Sequence, residues 1–69
     1  MDIERLQKLN SMDPFRPFVL ETVGGKEILI NEAGHLALPP RGFDWINAFG
    51  ADGHAYFLTL AEIASVEVA

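Results

Sequence analysis

The chain has 69 residues, no cysteine and a formal net charge of −5. This length predicts a single domain, residues 1–69, and the 49% hydrophobic content is too high for a disordered chain. Five lysines and arginines oppose ten acidic residues, and no two of these cations are adjacent, so the composition argues against nucleic-acid binding.

No stretch approaches the roughly 18 apolar residues that a membrane span requires. The start of the sequence is acidic at Asp2 and Glu4 and has no apolar signal-peptide core. The absence of cysteine fits a reducing compartment. We therefore expect a cytoplasmic protein that does not enter a membrane.

The first predicted element is a short amphipathic helix over residues 2–10. Asp2 is a suitable N-cap, and apolar residues follow at three-residue spacing, at Ile3, Leu6, Leu9 and Met12. A helix of this length is marginal alone in water, so it must dock its apolar stripe on the rest of the protein. We expect it to act as a lid over the core; the alternative is a helix that binds a partner.

After Pro14 and Pro17 the pattern changes to short β-rich runs separated by turn residues. Five strands are predicted, over residues 18–23, 26–30, 43–49, 54–59 and 64–68. Gly24-Gly25 and Asp52-Gly53 predict two hairpin turns. Residues 36–38 form a short apolar run that Pro39-Pro40-Arg41-Gly42 ends, and residues 60–63 predict a helical turn.

These elements predict a mainly β fold. Five strands of five or six residues are too few for a two-sheet sandwich with much core. A small five-stranded SH3-like or Sm-like barrel with a short N-terminal α-helix fits the element order better.

Four segments carry a resemblance to known sequences. They are the box Pro14-Phe15-Arg16-Pro17-Phe18, the pair Gly24-Gly25, the pair Asp52-Gly53, and residues 60–68. In these segments the chain resembles a set of short, uncharacterised bacterial proteins that open with a helix. The resemblance covers nearly the whole chain and implies an architecture, with no activity attached.

The order of elements is also similar to that of the Sm-like family, which forms rings and often binds RNA. Residues 43–47, Phe-Asp-Trp-Ile-Asn, echo the Phe-Asp-x-x-Met-Asn element of that family with one residue fewer. The Arg-Gly pair of the family's RNA-binding loop is missing from residues 58–63, and Arg41-Gly42 precedes the echo. The resemblance implies a barrel and supplies an alternative function, an RNA-binding ring.

The sequence predicts neither a catalytic residue nor a metal site. His35 and His54 have no further ligands at metal-binding spacing, and no hydroxyl residue lies in a triad or elbow context. We therefore expect a protein that is not an enzyme and that uses no cofactor and no metal.

The aromatic residues of the second hairpin predict an interaction surface. If Phe49 opposes His54, then Trp45, Phe49, Tyr56 and Leu58 all lie on the outer face of the barrel. Exposed aromatic residues are typical of interfaces, although these rings could equally belong to the core or lie beneath the helix. The predicted function is a self-associating interaction module, a homo-oligomer paired through the edges at residues 54–59 and 64–68, with a protein partner also possible.

Overall fold

The computed structural model describes residues 2–39 and 44–69. These residues form one α-helix, one 3₁₀ turn and six β-strands. In chain order the elements are α1 (Ile3–Asn10), β1 (Phe18–Thr22), β2 (Glu27–Ile30), β3 (Leu36–Ala37), β4 (Trp45–Phe49), β5 (Ala55–Thr59), the 3₁₀ turn (Leu60–Glu62) and β6 (Ile63–Val68). The fold is mainly β with an N-terminal helix, as predicted. The expected strand start at Phe43 and the break at residues 40–42 lie outside the described residues.

The strands form two antiparallel sheets of three strands each. One has the order β2-β1-β6 and the other the order β3-β4-β5. The predicted count of five strands is wrong, because Leu36 and Ala37 pair with β4 as a two-residue strand. The ladders of the described residues form two separate sheets, so the expected single closed barrel is not observed.

Both sheets and the helix contribute to one hydrophobic core. Phe18 and Leu20 of β1 lie opposite Ile30 and Ile28 of β2, and all four side chains are buried. The remaining buried apolar residues are Leu6, Leu9, Leu36, Ile46, Ala48, Leu58, Ile63 and Val66. Burial of these side chains is the main favourable contribution to the free energy of folding.

Helix α1 has the cap and the apolar stripe that its sequence predicts. The Asp2 side chain accepts a hydrogen bond from the backbone N–H of Glu4 at 3.0 Å, which satisfies one free donor of the first turn. Leu6 and Leu9 are buried and Ile3 is half-buried against the core. The helix is therefore docked on the protein, which confirms the predicted lid. Among the described residues, no helix is long and apolar enough to span a membrane.

Two side chains of α1 tie the helix to different sheets. Arg5 donates a hydrogen bond from Nη2 to the carbonyl oxygen of Val66 in β6, at 3.1 Å. Asn10 donates from Nδ2 to the carbonyl oxygen of Leu36 in β3, also at 3.1 Å. The helix thus spans the junction between the sheets, and it covers part of the β6 edge.

The second hairpin differs from its prediction by one residue of register. Phe49 pairs with Ala55 and not with His54. The physical reason is the length of the loop: the N–H of Gly50 donates to the carbonyl of His54 at 2.9 Å, which leaves a loop of three residues. Gly53 ends this loop with φ 86°, as expected of a type I turn followed by a glycine bulge.

Candidate functional site

The outer face of β4 and β5 is rich in aromatic residues, and neither strand contains a charged residue. Because side chains alternate between the faces of a strand, the observed register places the odd-numbered residues of β4 and β5 together on this surface. We call it the aromatic face, and it consists of Trp45, Asn47, Phe49, Ala55, Phe57 and Thr59.

Trp45 and Phe57 form the centre of the aromatic face. Their rings stack with centroids 5.3 Å apart and planes inclined by 19°. Phe57 is nevertheless 66% exposed, and Phe49 on the same face is 51% exposed. The ring of His35 contacts that of Phe49 edge-on at 6.4 Å. Exposed aromatic side chains grouped in this way are characteristic of protein interaction sites.

The outer face of the other sheet has the opposite character. Glu21 of β1 lies directly opposite Glu27 of β2. Glu67 of β6 lines the same shallow depression, together with Val19 and Ser65. Like charges facing one another across a ladder repel and favour a solvated surface. The chain therefore has one acidic and one aromatic sheet surface.

The structure separates the four residues predicted to form the interface. Trp45 and Phe49 lie on the aromatic face, as expected. Tyr56 is half-buried against the core, and Leu58 is a buried core residue opposite Ile46. The shift of one residue in the hairpin moves these two side chains to the inner face, because side chains alternate with a period of two.

The same shift brings Phe57 to the outer face, whereas the predicted pairing of Phe49 with His54 would put it on the inner face opposite Ile46. The signal that could have found it is the Asp52-Gly53 pair. A glycine at the third loop position is typical of a three-residue hairpin loop, and that loop length sets Phe57 beside Trp45.

A small polar cluster lies at the tip of the β4–β5 hairpin. The hydroxyl of Tyr56 donates to Asp52 Oδ2 at 2.6 Å, and the N–H of His54 donates to Asp52 Oδ1 at 3.0 Å. These bonds, with that of Tyr56 the stronger influence, lower the pKa of the Asp52 carboxyl to about 2. The cluster holds the hairpin in the register that creates the aromatic face.

The histidines of the described residues lie beside single carboxylates. Nε2 of His35 is 3.3 Å from Glu32 Oε2, and Nδ1 of His54 is 3.3 Å from Asp52 Oδ2. No group of three or more histidine, aspartate or glutamate side chains that could hold a metal ion occurs in residues 2–39 and 44–69.

Comparisons with protein families, with curated proteins and with solved structures find no match to this chain. The site therefore has to be interpreted from its own residues.

Proposed function

We propose that this protein is a non-enzymatic interaction module that self-associates through the aromatic face and the adjoining edge of β5. We further propose that the two sheets belong to the SH3-like or Sm-like class of small barrels. The pairing of β1 with both β2 and β6, and the 3₁₀ turn before β6, support this class.

The observation that carries the proposal is the stack of the exposed Phe57 on the half-buried Trp45, on two strands whose sequences contain no charged residue. A 69-residue chain has a small core, and association adds buried apolar area that one copy lacks. Copies with a net charge of −5 repel one another, so contact is favoured where the surface is neutral. Strands β4 and β5 carry no charged residue, and the Glu62 carboxylate lies at the Thr59 end of the aromatic face, whereas the other sheet surface carries Glu21, Glu27 and Glu67.

Sedimentation equilibrium at several protein concentrations tests the proposal. We expect the wild type to associate and Phe57→Ser to shift the protein toward monomer, because the variant removes the most exposed ring of the aromatic face. Val23→Ser is the matched control, since Val23 is a 70% exposed apolar residue outside that face. A wild-type protein that stays monomeric at high micromolar concentration would contradict the proposal.

The same preparation distinguishes the alternative, an Sm-like RNA-binding ring. Untagged protein is purified without nuclease, and its absorbance ratio at 260 and 280 nm is recorded. An oligomer free of nucleic acid supports the interaction module. An oligomer that retains RNA in a salt-dependent way would favour the ring instead.

A further inference from the structure

The edge of β5 presents free backbone groups at a short, defined stretch. The N–H of Gly50 donates to the carbonyl of His54, so residues of even number in β5 exchange hydrogen bonds with β4. Tyr56 and Leu58 are such residues. Backbone groups of the odd-numbered residues, Ala55, Phe57 and Thr59, therefore point away from β4 to the edge.

The turn that follows β5 occupies one end of this edge. Oε1 of Glu62 accepts the backbone N–H of Thr59 at 2.9 Å and its hydroxyl at 3.0 Å. Strand pairing at Thr59 would have to displace these bonds. Ala55 and Phe57 remain available for strand pairing, because within the described part of the chain their outward N–H groups have no hydrogen-bond partner.

The edge of β6 is less suited to pairing. The carbonyl of Val66 already accepts a hydrogen bond from Arg5 of the helix, and Glu67 adds a negative charge to the strand. Edge strand β2 carries Glu27. By contrast, β5 has no charged residue between Ala55 and Thr59, and the Glu62 carboxylate lies at the Thr59 end of this edge, away from Ala55 and Phe57.

We infer that two copies of the chain pair antiparallel through β5, with Ala55 opposite Phe57 of the partner subunit and the two-fold axis at Tyr56. This inference rests on the proposed function and specifies its partner, a second copy, and its register. In this register each copy donates from the N–H groups of Ala55 and Phe57 and accepts at their carbonyls, giving four new hydrogen bonds.

The side chains fit the same register. On the aromatic face, the large ring of Phe57 lies across from the methyl group of Ala55 in the partner subunit. On the opposite face, Tyr56 lies across from Tyr56 of the partner subunit at the two-fold axis. The two Phe57 rings are diagonal neighbours, a separation that aromatic side chains can bridge. The two aromatic faces then lie on the same side of one six-stranded sheet. The contact uses the same patch on both copies and closes at the dimer.

Ala55→Pro tests the pairing, with Val68→Pro as its matched control. Proline at either position removes an outward N–H and adds a ring at the edge. Neither the N–H of Ala55 nor the N–H of Val68 belongs to the ladder within the subunit. The N–H of Val68 points outward because its neighbour Ala69 donates to the Pro17 carbonyl. Far-ultraviolet circular dichroism checks that both variants fold.

We expect Ala55→Pro to weaken dimerisation by at least about tenfold in sedimentation equilibrium, and Val68→Pro to dimerise like the wild type. Equal weakening by both variants would overturn the inference in favour of head-to-tail β5–β6 pairing. If Phe57→Ser weakens association and Ala55→Pro does not, the register is wrong although self-association stands. A monomeric wild type contradicts the proposed function itself.

Disulfide trapping gives a readout that does not depend on a proline. The chain has no cysteine, so Ala55→Cys and Phe57→Cys each introduce a single thiol. Residues opposite one another in an antiparallel ladder lie within disulfide range. Under mild oxidation, a mixture of the two variants should form a mixed dimer several times faster than either variant forms its own. Equal rates for all three pairings would overturn the register.

Discussion

The hydroxyl of Tyr56 is joined to Oδ2 of Asp52 by a hydrogen bond of 2.6 Å, and this bond connects the hairpin tip to the hydrophobic core. The tyrosine ring is half-buried against the core, and Nζ of Lys26 lies 5.1 Å from its centroid. Asp52 in turn accepts the N–H of His54. The pair therefore anchors the three-residue loop that sets the register of β4 and β5.

The first prediction concerns the pKa of Asp52. Tyr56→Phe removes the strongest influence on that carboxyl, so we expect its pKa to rise from about 2 toward the ordinary value of 3.8. Carboxyl carbon chemical shifts followed by NMR during an acid titration measure the change. An unaltered pKa in Tyr56→Phe would show that the hydrogen bond is not formed in solution.

The lowered pKa of Asp52 also predicts how the stability of the protein depends on pH. Its pKa is lower in the folded protein than in the unfolded chain, so its contribution is complete above about pH 4 and is lost as the pH falls toward 2. The free energy of unfolding should therefore decrease more steeply across this interval in the wild type than in Tyr56→Phe. Urea unfolding at several pH values compares the two slopes.

The second prediction concerns Gly50, which is buried beside this pair. A Cβ at position 50 would lie 2.6 Å from Asp52 Oδ1 and 3.2 Å from Cε2 of Tyr56. Gly50→Ala therefore forces the carboxylate from its bond with His54, and we expect the unfolding free energy to be lower than that of the wild type.

Gly24→Ala is the matched control for Gly50→Ala, because a Cβ at position 24 meets its nearest neighbour, Thr22 Oγ1, at 3.8 Å. Denaturant unfolding of both variants, compared with the wild type, provides the measurement. Equal stability of Gly50→Ala and Gly24→Ala would mean that the carboxylate moves aside at no cost.

Local sequence patterns predict most elements of this fold, whereas strand pairing between residues distant in the chain is harder to predict from the sequence. The spacing of Leu6 and Leu9 predicts the buried side of α1, and Gly25, with φ 89°, forms the expected hairpin turn. Strand β3 has two residues and exists because Leu36 pairs with Ala48, which lies twelve positions further along the chain. No periodicity can be read from a segment that short.

The prediction of the candidate site depended on whether the loop between β4 and β5 has three residues or four. A four-residue loop places Tyr56 outside and Phe57 inside, and a three-residue loop reverses them. The hydrophobic pattern of β5 does not decide between these choices, since Tyr56, Phe57 and Leu58 are three consecutive large apolar residues. The decision comes from the positive φ of Gly53 and from the burial of Leu58 opposite Ile46.

The third prediction concerns the docking of α1. Leu6 is fully buried, so Leu6→Ala should lower the unfolding free energy by about 2–5 kcal/mol. Gln7→Ala is the control, because Gln7 is exposed on the same helix. Both are compared with the wild type in urea unfolding. A neutral Leu6→Ala would indicate that the helix is detached in solution.

The fourth prediction concerns nucleic acid. Arg5 is engaged with the Val66 carbonyl and Lys26 lies over the Tyr56 ring, so neither adds to a shared basic patch. One sheet surface is acidic through Glu21, and phosphate contacts supply most non-specific affinity. Fluorescence anisotropy with labelled RNA and DNA oligonucleotides at physiological salt should show no saturable binding. A sub-micromolar dissociation constant would instead support the Sm-like ring.

The last prediction concerns Arg5, whose hydrogen bond occupies a backbone carbonyl at the edge of β6. Arg5→Ala frees the carbonyl of Val66 and removes the bond that joins α1 to that strand, so the unfolding free energy should fall by about 1 kcal/mol. An open β6 edge also becomes available for strand pairing, so we expect species larger than the wild-type assembly to accumulate with concentration. Lys8→Ala removes the same charge from an exposed position on the same helix and should change neither quantity. Urea unfolding and sedimentation velocity measure the two effects separately. If Arg5→Ala loses stability and keeps the wild-type assembly size, Arg5 fastens the helix and does not protect the edge.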